Sequence, residues 1–262
     1  MANVERTPAG SIGGKAALSQ VTKAASPQNF QLIGNARIYG NPLGTVDPKE
    51  VSSLKSSPTT ELHLLRHFSQ LPTGYTLIDQ DKEVFNSKDK TTTVEPITND
   101  DLQKAITTKG SKFFIGVSGL STPADVVNFV RSEATRRAGA GELSWYDGGF
   151  CKKTSFVVEL PGQIGTDGVV SLSELSPEQQ SKVTEQNRGK LAGDDFKVKL
   201  VNHPGVTTNK LSVVIGHIKG EESPGIFMSY PGELAPPFPG DYQGEEERNY
   251  NKQFWNEHVF IA

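Results

Sequence analysis

Short β-type segments, separated by glycine- and proline-rich turns, constrain the fold of this chain more than any other feature of its sequence. The clearest are an apolar run at 112–118, a β-branched and aromatic run at 154–160, and an alternating run at 211–218. Runs of this length and composition predict strands rather than helices. Shorter or weaker patterns predict further strands at 61–68, 169–172, 196–201 and 258–261.

Helix signals are fewer, and the strongest lies at Thr122-Pro123-Ala124-Asp125. Threonine is a favoured N-cap, proline suits the first helical position, and an acid suits the first turn. Apolar residues then recur at helical spacing: Val126, Val127, Val130 and Ala134. Polar segments at 100–107, 176–191 and 245–254 are also predicted to be helical.

These patterns together predict an α+β domain with mostly antiparallel sheets and a few short helices. The segments 196–201 and 211–218 flank a polar loop, and we expect them to form a hairpin. The segment 258–261 is expected to be pinned inside a sheet.

Residues 1–55 differ from the rest of the chain. They are rich in small and polar residues and poor in aromatic ones, which predicts a flexible leader followed by a single domain over 56–262. The leader is either a ragged terminus or an export or chaperone-binding segment. Because residues 1–6 contain neither a basic region nor an apolar one, we expect no cleavable signal peptide.

Composition excludes several functional classes. The formal net charge is -3 and the basic residues are scattered, so a nucleic-acid partner is not expected. No apolar run is long enough to span a bilayer, which predicts a soluble protein. Cys151 is the only cysteine, so an intramolecular disulfide is impossible and no cysteine-ligated metal site is expected. His63 and His67 on one strand would lie about 13 Å apart, too far to share a metal ion.

Five polar residues stand out against these patterns. In strand register, Arg66 shares a face with Leu62, Leu64 and Phe68, where a guanidinium needs a carboxylate, carbonyls or a bound anion. Glu257 shares a face with Val259 and Ile261 in the last predicted strand. The hydroxyl residues at the end of the 112–118 strand precede a helix, where they either cap it or line a cleft: Ser118, Ser121 and Thr122.

The order of these features resembles the mono-ADP-ribosyltransferase toxins of the arginine/Ser-Thr-Ser/glutamate class. The resemblance implies an ADP-ribosyltransferase-like fold and NAD as the substrate, with Arg66 holding its phosphate. It assigns either Ser118 or the pair Ser121 and Thr122 to the Ser-Thr-Ser strand that braces the cleft, and Glu257 to the catalytic contact with the nicotinamide ribose. A cation for the pyrophosphate and a carboxylate beside an oxocarbenium-like transition state are chemically suited to this reaction.

The resemblance further implies a secreted or injected effector that acts in the cytosol of a target cell and modifies a target protein. Trp255 stands where the family has Glu or Gln two residues before the catalytic Glu, which leaves transfer to protein and hydrolysis of NAD both open. An export chaperone or an immunity protein also stays open as a partner. Trp145 and Tyr146 precede a glycine turn and are candidates for flanking the NAD cleft.

Two other functions fit parts of the sequence. Cys151 with His203 or His217 would suit a cysteine-dependent deamidase or protease-like effector, because a thiolate is a strong nucleophile. The proline-rich region 231–240 would suit a non-enzymatic adaptor that binds a partner protein.

Overall fold

The computed structural model describes residues 30–86, 91–106, 110–148, 151–191, 194–218, 221–241 and 243–261. Within these ranges the chain has a mixed α+β fold. Its sheets are mostly antiparallel, with a single parallel pairing in the described part, and its helices are few and mostly short. This is the fold class that the segment pattern predicts.

The strands are, in chain order, β1 (Phe30–Ile33), β2 (Ala36–Tyr39), β3 (Pro42–Thr45), β4 (Asp81–Asn86), β5 (Thr91–Pro96), β6 (Lys112–Phe113), β7 (Ser144–Asp147), β8 (Cys151–Glu159), β9 (Gly165–Asp167), β10 (Val169–Ser171), β11 (Thr184–Leu191), β12 (Asp194–Val201), β13 (Val206–Thr208), β14 (Lys210–Ile218), β15 (Gly225–Pro231) and β16 (His258–Ile261). The α-helices are α1 (Pro48–Ser52), α2 (Pro58–Leu64), α3 (Asn99–Ala105), α4 (Pro123–Gly139), α5 (Pro177–Gln180) and α6 (Glu245–Glu257).

β8 and β14 form the centre of a five-stranded sheet with the strand order β15-β14-β8-β7-β3. They pair over their full lengths, from Lys210 opposite Glu159 to Ile218 opposite Cys151. A sheet that is covered on both faces needs apolar residues on both. Accordingly, Val213 belongs to the main core, whereas Val214 packs with the β1–β2 hairpin. The strands predicted at 154–160 and 211–218 are therefore confirmed.

α4 belongs to the main core beside this sheet, and it begins where the sequence predicts. The Thr122 hydroxyl accepts a hydrogen bond from the Asp125 backbone N–H, and the Asp125 carboxylate accepts one from the Thr122 N–H. This reciprocal pair is a capping box. The apolar residues at helical spacing are all fully buried in the main core: Val126, Val127, Val130 and Ala134.

The C-terminal strand is confirmed inside a second sheet. β16 lies between β10 and β12 in the strand order β10-β16-β12-β11, antiparallel to β10 and parallel to β12. Val259 and Ile261 are buried with Val170 and Val201 in a separate, smaller core. The short strand predicted at 169–172 is also confirmed, as β10.

The strand predicted at 61–68 is wrong. Ser57 caps α2 by accepting a hydrogen bond from the Thr60 N–H, and Pro58 occupies the first helical position. A short 3-10 helix, Leu65–His67, then continues the turn. The residues buried here follow helical rather than alternating spacing: Leu64, Leu65 and Phe68.

The predicted 176–191 helix and the predicted 196–201/211–218 hairpin are also wrong. Helix α5 ends at Gln180, and the polar residues Thr184–Leu191 form the edge strand β11, which pairs with β12. Because β12 takes β11 and β16 as neighbours, it is not paired with β14, whose partners are β8 and β15. Pairing with a distant strand overrides the local pattern in both cases.

The strand predicted at 112–118 is much shorter than expected. Only Lys112–Phe113 form a strand, β6, which pairs with β9. Phe114 and Ile115 lie in the following turn and are exposed. The apolar run therefore does not form a continuous buried strand.

Residues 30–55 of the expected leader form β1, β2, β3 and α1, and residues 1–29 lie outside the described ranges. Val46, Val51 and Leu54 are buried in the main core. This part of the expected leader therefore belongs to the folded body. No helix in the described part of the chain is long and apolar enough to cross a membrane.

Candidate functional site: a basic cluster beside strand β6

The segment that ends α2 carries three basic residues close together. His63, Arg66 and His67 are spaced three and four residues apart on a helical segment, which places their side chains on neighbouring positions of one face. His63 and Arg66 are exposed, whereas His67 is partly buried. Lys112 on β6 approaches from the other side, and its ammonium donates a hydrogen bond to the Arg66 carbonyl. We refer to His63, Arg66, His67 and Lys112 as the basic cluster.

Lys112 is the most unusual member of the basic cluster. Its relative exposure is 8%, yet its ammonium forms no ion pair with any carboxylate that the structure describes. Burial lowers the pKa of Lys112 to about 8. A buried cation without a counter-ion costs free energy, and such groups are concentrated at functional sites.

His67 lies next to this ammonium with one ring nitrogen fixed. Its Nδ1 lies 3.1 Å from the Ser111 carbonyl oxygen and must donate the hydrogen bond. Burial lowers the pKa of His67 to about 4, although the hydrogen bond to Ser111 opposes this, and the positive charge of Lys112 lowers it further. The imidazole is therefore neutral near pH 7, with its lone pair on Nε2.

Two acidic or phenolic groups lie near the basic cluster, but neither neutralises it. The ring of Tyr230 lies 5.5 Å from the ring of His67, and burial raises the pKa of Tyr230 to about 12, so it is protonated at neutral pH. The Asp167 carboxylate accepts hydrogen bonds from the backbone N–H groups of Val169 and Glu233, at 3.1 and 3.0 Å. Asp167 therefore ties β9 to the end of β15.

Two glycines let the backbone pack tightly beside the basic cluster. A Cβ on Gly165 would lie 2.0 Å from the Lys112 carbonyl oxygen, and one on Gly168 would lie 2.3 Å from the Ser111 nitrogen. The Gly168 N–H donates to the Ser111 hydroxyl at 2.9 Å. β9 and the following turn therefore hold Ser111 and Lys112 in place.

Arg66 lies in a different element, and is more exposed, than the sequence predicts. It was expected on the apolar face of a strand, but it lies exposed on the 3-10 helix. No ion pair of Arg66 is formed within the described ranges. Arg66 therefore contributes an available guanidinium at the edge of the basic cluster, not a buried one.

The hydroxyl residues before α4 are accounted for by local structure. Thr122 is the N-cap of α4, and the Ser121 hydroxyl donates to the Val117 carbonyl at 2.8 Å. Ser118 is exposed in the preceding turn. These residues lie on a turn, so the strand context expected for them is wrong.

Glu257 is also in a different setting from the one predicted. It is the last residue of α6 and is exposed, so it does not share a strand face with Val259 and Ile261. Ile261, at the far end of β16, accepts a hydrogen bond from Gly110, two residues before Lys112. Four residues of extended chain span about 13 Å, which puts Glu257 at the end of β16 away from the basic cluster.

Trp145 and Tyr146 do not flank one cleft together. They are neighbours on β7, so their side chains project from opposite faces of the sheet. Trp145 is buried, and its indole N–H donates to the Glu50 carboxylate at 2.9 Å. Tyr146 lies opposite Lys153 and is partly exposed.

The geometry does not support a Cys151–His217 dyad. His217 pairs with Lys152 and Cys151 pairs with Ile218, so the thiol and the imidazole lie on opposite faces of the sheet. Burial raises the pKa of the Cys151 thiol, which disfavours the thiolate. His203 lies in the loop before β13, where its Nδ1 accepts a hydrogen bond from the Gly205 N–H.

The proline-rich region 231–240 packs on its own domain. The indole N–H of Trp255 donates to the carbonyls of Pro236 and Pro237, at 3.1 and 3.3 Å. The ring of Phe238 packs against Trp255 at an interplanar angle of 52°, with 4.7 Å between centroids. The region nominated for partner binding is therefore largely occupied by contacts with α6.

The sequence pattern does not predict Lys112 as a site residue. On a predicted strand, His63 and His67 are considered only as metal ligands and are rejected because of their distance. The helical spacing found for this pair would suit a metal ion, but no group of three ligating side chains was found among the described residues. The only sequence signal for Lys112 is its position directly before an apolar run.

No protein-family model and no curated protein matches this chain.

Proposed function

We propose that this chain is an enzyme that binds NAD through the basic cluster and cleaves its nicotinamide–ribose bond. The fold would then be of the ADP-ribosyltransferase type, and ADP-ribose would pass to a target protein or to water. In this proposal the protein is a secreted or injected effector that acts in the cytosol of a target cell.

The observation that carries the proposal is the buried ammonium of Lys112 without a carboxylate partner among the described residues. Arg66, the residue that the resemblance nominates for phosphate binding, accepts the hydrogen bond of this ammonium through its backbone carbonyl. The pyrophosphate of NAD carries negative charge that would compensate both cations, and charge-assisted hydrogen bonds to phosphate are strong. Arg66 would supply a planar fork and Lys112 a point charge.

The first test is isothermal titration of the full chain with NAD. We expect Lys112→Met and Arg66→Ala each to weaken NAD binding by at least tenfold, since each removes a cation from the basic cluster. Lys182→Met is the matched control, because Lys182 is an exposed lysine on the surface, paired with Glu178. NAD that fails to bind the wild type, or that binds Lys112→Met equally well, would contradict the proposal.

The second test addresses catalysis and the role that the resemblance gives to Glu257. Nicotinamide release from NAD is followed over hours for the wild type, for Glu257→Gln and for the exposed control Glu178→Gln. Loss of release in Glu257→Gln alone would support its catalytic role. Undiminished release would show that another group stabilises the transition state, while NAD binding at the basic cluster would stand.

A further inference from the structure

The protonation of His67 depends on the charges around its ring, and a ligand bound at the basic cluster would change them. Arg66 and Lys112 place positive charge near the His67 ring, and His63 adds to it only when it is protonated, because burial and the charge of Arg66 lower the pKa of His63. The other titratable groups near the ring are Tyr230, which is protonated at neutral pH, and Asp167, whose carboxylate accepts backbone N–H groups. Because no described carboxylate pairs with the cations beside the ring, a bound anion would bring the negative charge that offsets them.

We infer that anion binding at the basic cluster takes up a proton, and that His67 Nε2 accepts it. The inference rests on the proposed function and adds a pH-dependent control of ligand affinity. It follows from the placement of the His67 imidazole, with Nδ1 held by the Ser111 carbonyl, beside the cations Arg66 and Lys112.

The hydrogen bonds of His67 determine where the proton goes. Nδ1 already carries a proton, because it donates to the Ser111 carbonyl. Nε2 forms no hydrogen bond with the residues that the structure describes, so it keeps a lone pair. Protonation at Nε2 would create a second N–H donor without breaking the bond to Ser111.

Charge explains why the proton arrives with the anion. Without an anion, a protonated His67 would be partly buried next to the Lys112 ammonium, and both burial and repulsion oppose this. A phosphate oxygen would neutralise the repulsion and accept a hydrogen bond from Nε2. Binding of the anion and binding of the proton therefore favour each other.

ADP-ribose is a suitable probe, because each phosphate of its doubly esterified pyrophosphate has one strongly acidic group and does not titrate near neutral pH. We would titrate it into the full chain in two buffers of different ionisation enthalpy, between pH 6 and 7, where Lys112 with its pKa of about 8 already carries its proton. We expect net proton uptake by the wild type. Its affinity should fall as pH rises, up to about tenfold per pH unit, which is the limit for one proton.

His67→Gln and His258→Gln form a matched pair of variants. His67→Gln should bind with little proton uptake and a flatter pH profile. His258 pairs with Ser171 at the end of β16 away from the basic cluster, so His258→Gln should behave like the wild type. Proton uptake that persists in His67→Gln, or affinity that does not depend on pH in the wild type, would overturn the inference and leave the proposed function standing. Failure of ADP-ribose to bind the wild type would overturn both.

A second measurement avoids reliance on a variant that folds poorly. The imidazole resonances of His67 in the wild type can be titrated by NMR with and without ADP-ribose. An upward shift of the His67 pKa on binding is expected. If the probe binds and the pKa of His67 does not move, the inference is wrong.

Discussion

Lys112 and Glu50 are two charged residues held in opposite ways. Lys112 has no carboxylate partner among the described residues, whereas Glu50 on α1 accepts hydrogen bonds from Trp145 and from His217 Nδ1, the latter at 2.6 Å, and pairs with Lys152. The three donors come from β7, β14 and β8. Glu50 therefore fastens α1 to three strands of the central sheet.

The Glu50 carboxylate should make stability depend on pH in the acid range. Burial raises the pKa of Glu50, but the hydrogen bonds from Lys152, His217 and Trp145 outweigh this and hold the pKa below its ordinary value of 4.5. A carboxylate of this kind stabilises the fold above its unfolded pKa and loses that contribution as pH falls through the folded pKa. We expect Glu50→Gln to lower the free energy of unfolding at pH 7 by about 1–3 kcal/mol.

The measurement is urea unfolding of the wild type and Glu50→Gln at pH 7 and at several values below pH 4.5. The difference between them should shrink as the pH falls. The exposed Glu178→Gln serves as a control and should match the wild type throughout. A difference that is constant over the whole range would show that Glu50 acts through packing and not through its charge.

Thr122 offers a second test on a single side chain. Its hydroxyl caps α4, so Thr122→Ala should lower the free energy of unfolding by about 1 kcal/mol. Ser118→Ala, in the exposed turn just before, should change it by less than about 0.5 kcal/mol. Thermal unfolding and NAD titration of both variants would separate the two roles. A Thr122→Ala protein that keeps its stability but loses NAD affinity would favour a binding role for the hydroxyl.

Elements with strong local signals could be predicted from the sequence, and elements chosen by distant partners could not. α4 has its cap, its proline and its buried stripe within one segment, and β8 and β14 have long apolar runs. β11 is polar and resembles a helix surface, because an edge strand next to β12 has little to bury. The 61–68 segment is helical for a different reason: Ser57, Pro58 and Glu61 form a helix start.

β16 should contribute strongly to stability, because it joins β10 to β12. Ile261 is almost fully buried in the second core, so Ile261→Ala should lower the free energy of unfolding by about 2–5 kcal/mol. Asn256→Ala is the control, because Asn256 is exposed near the end of α6, and it should change the free energy of unfolding little. Urea unfolding measures both. An Ile261→Ala protein as stable as the wild type would mean that the second core tolerates the cavity.

On the scale of the whole molecule, the described chain has a large core and separate smaller ones. The large core lies between α1, α4 and the five-stranded sheet, and a smaller one lies under β10, β12 and β16. Backbone hydrogen bonds at Gly110 and Gly168 connect the second sheet to the basic cluster. The basic cluster therefore lies near the junction between the two sheets.

The two sheets should differ in how readily they open. The amides of β8 and β14 lie in the middle of the five-stranded sheet, whereas β11 is an exposed edge. We expect hydrogen exchange, followed by mass spectrometry, to be slowest in β8 and β14 and much faster in β11. Equal protection of β11 and β14 would show that the molecule opens as one cooperative unit.

The basic cluster could be predicted only in part, because it is assembled from distant segments. Arg66 was nominated from the sequence, but for a strand position that it does not occupy. Lys112 and Tyr230 reach His67 only through the pairing of β6 with β9 and the position of β15. No local pattern contains that information, since it depends on which strands meet.

The position of β16 also has a consequence for synthesis on the ribosome. Val169 in β10 pairs with Phe260, and Leu200 in β12 pairs with the same residue. Both strands leave the exit tunnel before β16, and the edge of each that pairs with β16 stays unpaired until β16 has emerged. The second sheet can therefore close only after β16 has left the exit tunnel, and a nascent chain stalled before His258 would expose strand edges that chaperones commonly recognise.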